Sequence, residues 1–105
     1  MSDVTQAQPK PRQPIPPDTI LIGKKPIMAY ATAIMMHFQS GSQQLTLKAR
    51  GQAISTAVDV VEVTRRRFFA GKLTVKEINV GTEVIGEGAD VRNVSTIEIK
   101  LEKTP

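Results

Sequence analysis

The order in which strand-like and helix-like segments follow one another is the strongest guide to the fold. Twice in the chain, a short segment typical of a β-strand is followed by a turn that contains glycine and then by a segment typical of an α-helix. Residues 19–22, TILI, form an apolar run that is too short for a helix and typical of a buried strand. Pro26 marks the start of the following helix, and Gly41 marks its end. The second strand spans 45–50, where apolar and polar residues alternate, and its helix spans 53–69. The two units predict parallel strands joined by a right-handed crossover.

The last third of the chain predicts two more strands joined as a long hairpin. Residues 73–84 form the third strand, and their alternation slips by one near Glu77, which indicates a β-bulge. Residues 85–93 form a loop, and 96–102 alternate as a half-buried fourth strand. The order β-α-β-α-β-β predicts an α+β fold, a two-layer sandwich with two helices on one face of a mixed four-stranded sheet.

The N-terminal segment differs in composition from the rest. Residues 1–17 hold five of the seven prolines and little apolar surface, so they cannot offset the entropy of ordering and are predicted to be a disordered tail. Residues 18–105 are then one domain with one hydrophobic core. No apolar run approaches the roughly 20 residues of a membrane span, and no signal-peptide region is seen.

Several kinds of active site are excluded by composition. The chain has no cysteine, and its single histidine, His37, rules out a multi-histidine metal site, so we expect no metal and no cofactor. The GKKP turn lacks the P-loop pattern, and no hydroxyl follows its lysines to hold Mg²⁺, which disfavours a mononucleotide site. Since no nucleophile has a base at a useful spacing, no catalytic residue is predicted.

Basic residues gather in the two strand–helix turns. The net charge is +4, and residues 18–70 carry seven bases against three acids. Lys24 and Lys25 occupy the first turn and Arg50 the second, with Lys48 pointing the same way as Arg50. Cations are disfavoured at a helix N-terminus unless an anion binds there. Because parallel strands place both turns at one sheet edge, the pattern predicts a surface for several phosphates, with a merely solvated edge as the alternative.

Two further features suggest contacts outside the core. Arg92 lies in the predicted hairpin loop, where an arginine is suited to enter a minor groove; the alternative is an ordinary hairpin end with no binding role. The nearby carboxylates Glu83 and Glu87 are interpreted as solvated. The second helix has a wide apolar surface, which predicts an interface with another copy of the chain. Phe68 and Phe69 point about 100° apart on that helix, so one is expected in the core and the other in a subunit contact.

Four segments together resemble the Alba family, the small dimeric chromatin proteins of archaea. They are ILIGKKPIMAY (20–30), LKARGQAISTAVDVVEVTRRRF (47–68), INVGTE (78–83) and VSTIEIKLEK (94–103). The resemblance implies a fold similar to the C-terminal domain of a bacterial translation initiation factor. It also implies a non-enzymatic, cytoplasmic protein on the chromosome, a homodimer or a heterodimer with a paralogue, that coats and condenses double-stranded DNA with little sequence preference and binds RNA.

The same resemblance assigns roles to individual residues. Lys24, Lys25 and Arg50 match positions that contact nucleic acid, and Lys24 matches the acetylated lysine, which implies an acetyltransferase and a deacetylase as partners. Arg92 lies on the arm expected to follow the minor groove, and Phe68 matches a dimer–dimer contact.

One position departs from the family pattern, since many members have a base where this chain has Gln52. The substitution should weaken phosphate binding slightly but keeps a hydrogen-bond donor. An alternative with the same surface is an RNA-binding accessory subunit of a ribonucleoprotein.

Overall fold

A computed structural model describes residues 18–104, and the predicted proline-rich tail, residues 1–17, lies outside the described residues. Two helices cover one face of a four-stranded sheet, which confirms the predicted α+β sandwich. The elements in chain order are β1 (Thr19–Leu21), α1 (Ile27–Gln39), β2 (Gln44–Arg50), α2 (Ala53–Arg67), β3 (Leu73–Ile85), a short 3₁₀ turn (Gly88–Asp90) and β4 (Arg92–Lys103).

The sheet has the strand order β1-β2-β4-β3. β1 and β2 are parallel, as the two strand–helix units predicted, whereas β4 is antiparallel to both β2 and β3. The carboxyl ends of β1 and β2 therefore lie at the same sheet edge, and each leads into the N-terminus of a helix.

The core lies between the helices and one face of the sheet. Leu45 and Leu47 of β2 point into it, and the polar residues between and beside them point to the opposite, open face. Phe69 packs against the core with its ring 5.5 Å from that of Phe38 in an edge-to-face contact, while Phe68 is half-buried and lies outside this cluster of described residues. The most completely buried large side chains are Phe38, Ile34, Leu45, Leu47, Leu101, Val60 and Thr64.

The hairpin formed by β3 and β4 is longer than predicted. The bulge near Glu77 is confirmed, because the pairing register shifts between Val75 and Glu77. The predicted loop 85–93 is too long, since strand pairing continues to Ile85 opposite Arg92. No helix covers this outer half in the described structure, and residues 92–95 at the start of β4 lack the apolar alternation that marks β3 in the sequence.

Candidate nucleic-acid interface

The first basic turn is fixed from below by Tyr30, a buried residue of α1. The Tyr30 hydroxyl accepts hydrogen bonds from the backbone N–H groups of Gly23 at 2.7 Å and Lys25 at 3.1 Å, and the side chain is only 6% exposed. Ile22 donates its N–H to the carbonyl of Lys48 at 2.8 Å, which ties the start of the turn to β2. The exposed side chains of Lys24 and Lys25 therefore project from an ordered backbone.

Sequence reasoning did not assign a role to Tyr30, although a signal was present. A tyrosine on the apolar stripe of a helix buries a hydroxyl that needs a hydrogen-bond partner. The glycine–lysine turn lies only five to seven residues earlier in the chain, and it supplies two N–H donors.

The second turn, between β2 and α2, is anchored to β4. Gly51 adopts φ +60°, a conformation that favours glycine, and its N–H donates to the carbonyl of Ser95 at 2.9 Å. Gln52 is exposed at the N-cap of α2. Among the described residues, neither α1 nor α2 has an acidic residue in its first turn or a side-chain cap, so both helix N-termini keep N–H groups available to an anion.

Lys48 and Arg50 both lie on the open face of the sheet, as predicted, because Leu47 and Ala49 alternate with them and point into the core. Both bases are already paired. Lys48 Nζ lies 3.4 Å from Glu98 Oε2, and Arg50 Nη1 lies 2.6 Å from Glu83 Oε1. The interpretation of Glu83 as merely solvated is therefore wrong, although its side chain is half-exposed.

Lys24 and Lys25 differ from the two bases on the sheet. Within residues 18–104, no carboxylate lies within 4.0 Å of the ammonium group of either lysine. Both side chains are exposed. The largest uncompensated positive charge at this sheet edge is therefore the lysine pair of the first turn.

Arg92 and Phe68 lie apart from the two turns. Arg50 is opposite Thr96 in the β2–β4 register. Arg92 precedes Thr96 by four residues on β4 and so lies about 13 Å closer to the hairpin tip. Phe68 closes α2 at the end opposite Gln52, about 22 Å away along a 15-residue helix. The structure thus brings the two strand–helix turns together, and it places Arg92 and Phe68 away from both turns.

The described residues, 18–104, contain no group of three or more histidine, cysteine, aspartate or glutamate side chains close enough to hold a metal ion.

In the same part of the chain, neither helix has the length and apolar character needed to cross a membrane.

Comparison with known proteins gives a consistent result. The sequence model of the Alba family matches residues 18–82. The "DNA/RNA-binding protein Alba" of Methanothrix thermoacetophila is 45% identical over 86 residues, which are 82% of this chain and 96% of that protein. The protein of the same name from Nanoarchaeum equitans is 46% identical over 86 residues, 80% of this chain and 96% of its own.

Solved structures have the same fold. Alba from Thermoplasma volcanium superposes with a TM-score of 0.76 at 40% identity, covering 81% of this chain and 99% of the other. ALBA1 from Trypanosoma brucei superposes with a TM-score of 0.73 at 24% identity, and the match covers 87% of this chain and 73% of the ALBA1 chain. At this level of identity, the likeness is evidence for the fold and not for the function.

Proposed function

We propose, since the chain belongs to the Alba family, that it is an architectural protein that binds double-stranded DNA, and also RNA, with little sequence specificity. The observation that carries the proposal is the lysine pair Lys24 and Lys25, which has no carboxylate partner among residues 18–104. It lies on a turn held by Tyr30, next to two uncapped helix N-termini. Cations and backbone N–H groups bind the phosphates of the nucleic-acid backbone, which are the same in DNA or RNA of any base sequence.

The contacts supplied by each part of this surface differ. Lys24 and Lys25 form ionic contacts to the backbone, and Gln52 adds a neutral hydrogen-bond donor at the second helix. Lys48 and Arg50 contribute only where a phosphate competes with their carboxylate partners. Arg92 extends the surface along the hairpin, where it is suited to a minor groove.

A dimer is supported by an apolar surface that the single chain leaves uncovered. Ile78 and Val80 of β3 lie opposite Ile99 and Ile97, on the core side of the sheet, yet Val80 is 79% exposed. Val58 of α2 is also exposed, whereas Val60 on the same helix is fully buried. A second copy, or a paralogue with the same pattern, would cover this surface by a two-fold symmetric contact. Light scattering should then give twice the 11.5 kDa of the chain.

Two residues fit further roles in such an assembly. Phe68 is half-buried at the far end of α2 and suits contact between dimers along DNA. Lys24 is exposed and accessible to an acetyltransferase, and acetylation would remove one phosphate contact until a deacetylase restores it. With these roles, we expect the protein to be bound to the chromosome.

The experiment that tests the proposal is a binding titration with fluorescent duplexes of unrelated sequence and with a structured RNA. Lys24→Gln/Lys25→Gln should weaken binding to every DNA sequence by a similar factor, because it removes phosphate contacts. Lys72→Gln/Lys103→Gln, at the opposite sheet edge, is the control with the same charge change and should have a smaller effect. Equal losses in the two variants, or a loss confined to one sequence, would contradict the proposal.

No observation favours the ribonucleoprotein subunit over the architectural role, because both use the same surface. Membership of a nucleic-acid-binding family also argues against a small enzyme that uses this phosphate-binding surface, for which the sequence predicts no catalytic residue.

A further inference from the structure

The ion pair between Arg50 and Glu83 crosses an intervening strand. Arg50 of β2 is opposite Thr96 of β4, and Thr96 is opposite Gly81 of β3. Glu83 lies two residues beyond Gly81 toward the hairpin tip, so the Arg50 side chain passes diagonally over β4 to reach it at 2.6 Å. Among the strand-to-strand ion pairs of residues 18–104, this one alone joins strands that are not hydrogen-bonded neighbours.

The pairs beside it are of the ordinary kind. Lys48 lies directly opposite Glu98, and Lys100 lies directly opposite Glu77. Such cross-strand pairs form between side chains that the register has already placed together. Arg50 has no acidic residue opposite it, so its pairing with Glu83 ties two parts of the chain that the local register does not bring together.

Small residues make room for this contact. Gly81 has no side chain, and a Cβ atom there would lie 3.3 Å from the Thr96 hydroxyl oxygen. The space above them is part of an open groove of about 650 Å³ on the sheet, which Lys48 and Glu98 also line. An incoming anion therefore has room to approach Arg50 without any rearrangement of the backbone.

The accessibility of the pair makes exchange with such an anion feasible. The Arg50 side chain is 60% exposed and the Glu83 side chain 50% exposed. Exposed ion pairs contribute little net stability, because water screens them. A phosphate held by Lys24 and Lys25 on the neighbouring turn arrives at a high effective concentration, whereas a free monovalent anion has no such tether.

We propose that Glu83 is an internal competitor of phosphate at Arg50. In the free protein its carboxylate neutralises Arg50 and ties the outer hairpin to the β2–α2 turn, and in the complex a backbone phosphate takes its place. Glu83 thereby discriminates against isolated anions in favour of a polymer that engages both turns. This inference rests on the proposed nucleic-acid function and adds to it a residue that limits affinity.

The test compares Glu83→Gln with Glu77→Gln in salt titrations of binding to one random-sequence duplex. Glu77 is the matched control, because it lies on the same strand and face, pairs with Lys100 and gives the same change of net charge. Glu83→Gln should bind about two- to five-fold tighter than this control, the range expected for loss of an exposed ion pair. Because Arg50 contacts a phosphate in both complexes, the slope of log K against log salt should stay close to that of the wild type, and the gain should appear as a higher affinity at each salt concentration.

Two further variants separate competition from general electrostatics. Glu83→Asp keeps the charge but shortens the side chain and weakens the contact with Arg50, so it should also bind the duplex more tightly than the wild type. In an Arg50→Gln background, Glu83→Gln should bind like Arg50→Gln with only the small gain seen for Glu77→Gln.

The inference would be overturned if Glu83→Gln and Glu77→Gln bound the duplex with equal affinity. It would also be overturned if Glu83→Gln raised the affinity by the same factor in the Arg50→Gln background. If Glu83→Gln fails in this way, but the wild type binds duplex DNA and Lys24→Gln/Lys25→Gln binds it more weakly, then only the role of Glu83 is wrong. If the wild type shows no salt-dependent binding, the proposed function and this inference are both wrong.

Discussion

Replacement of Tyr30 by phenylalanine isolates the contribution of one buried oxygen to the first basic turn. The hydroxyl accepts two backbone hydrogen bonds, from Gly23 and Lys25, in a side chain that is 6% exposed. A typical intramolecular hydrogen bond contributes about 1 kcal/mol net. Because both donors belong to exposed residues that water can reach, we expect Tyr30→Phe to lower the free energy of unfolding by about 1–2 kcal/mol. For a domain of this size the melting temperature falls by about 4–8 °C per kcal/mol.

Binding should change in a characteristic way. The variant keeps both lysines, so the slope of log K against log salt should stay close to that of the wild type. Affinity at a fixed salt concentration should nevertheless fall about two- to five-fold, because the loosened turn must be ordered again in the complex.

The assay is urea unfolding at one fixed protein concentration, since self-association changes the apparent stability. Ser40→Ala is the control: it removes a hydroxyl that donates to the His37 carbonyl at 2.6 Å at the exposed end of α1, and should cost less than about 0.5 kcal/mol. If Tyr30→Phe is as stable as Ser40→Ala and binds like the wild type, the hydroxyl does not organise the turn.

Two other predictions concern packing. Val80→Asp places a carboxylate in the proposed subunit contact, so the molar mass measured by light scattering should fall to that of one chain; an unchanged mass would exclude this surface as the contact. Phe69→Ala should destabilise the fold by about 2–4 kcal/mol in urea unfolding, because Phe69 packs on Phe38 and the core. Phe68→Ala should cost clearly less, and equal losses would contradict the assignment of Phe69 as the core residue.

Most of the fold was predictable, because burial on one side gives each element a periodic pattern. The alternation of β2 and the slip at Glu77 both survive in the structure, as a strand with one buried face and as a bulge. The start of β4 at Arg92 was not predictable in this way. Its outer half is held by backbone hydrogen bonds to β3 with no helix above it in the described structure, and backbone pairing leaves no mark on side-chain polarity.

The placement of the basic residues of the candidate site was predictable from the sequence, but their ion pairs were not. Parallel pairing of β1 and β2 follows from the order of elements, and it brings Lys24, Lys25 and Arg50 to one edge. The neutralisation of Arg50 by Glu83 depends on a contact across 33 residues and over an intervening strand. Such a contact is set by the final register of the sheet, which the sequence pattern leaves open.

The central claim is that the lysine pair Lys24 and Lys25 binds backbone phosphates, whatever the DNA sequence. Its most direct test is the slope of log K against log salt for one random-sequence duplex, measured for the wild type and for Lys24→Gln/Lys25→Gln. Each ionic contact to duplex DNA contributes about 0.9 to the slope, so we expect the variant's slope to be shallower by about 1.8 per bound protomer. Identical slopes for the two proteins would show that these lysines do not contact phosphate and would contradict the account.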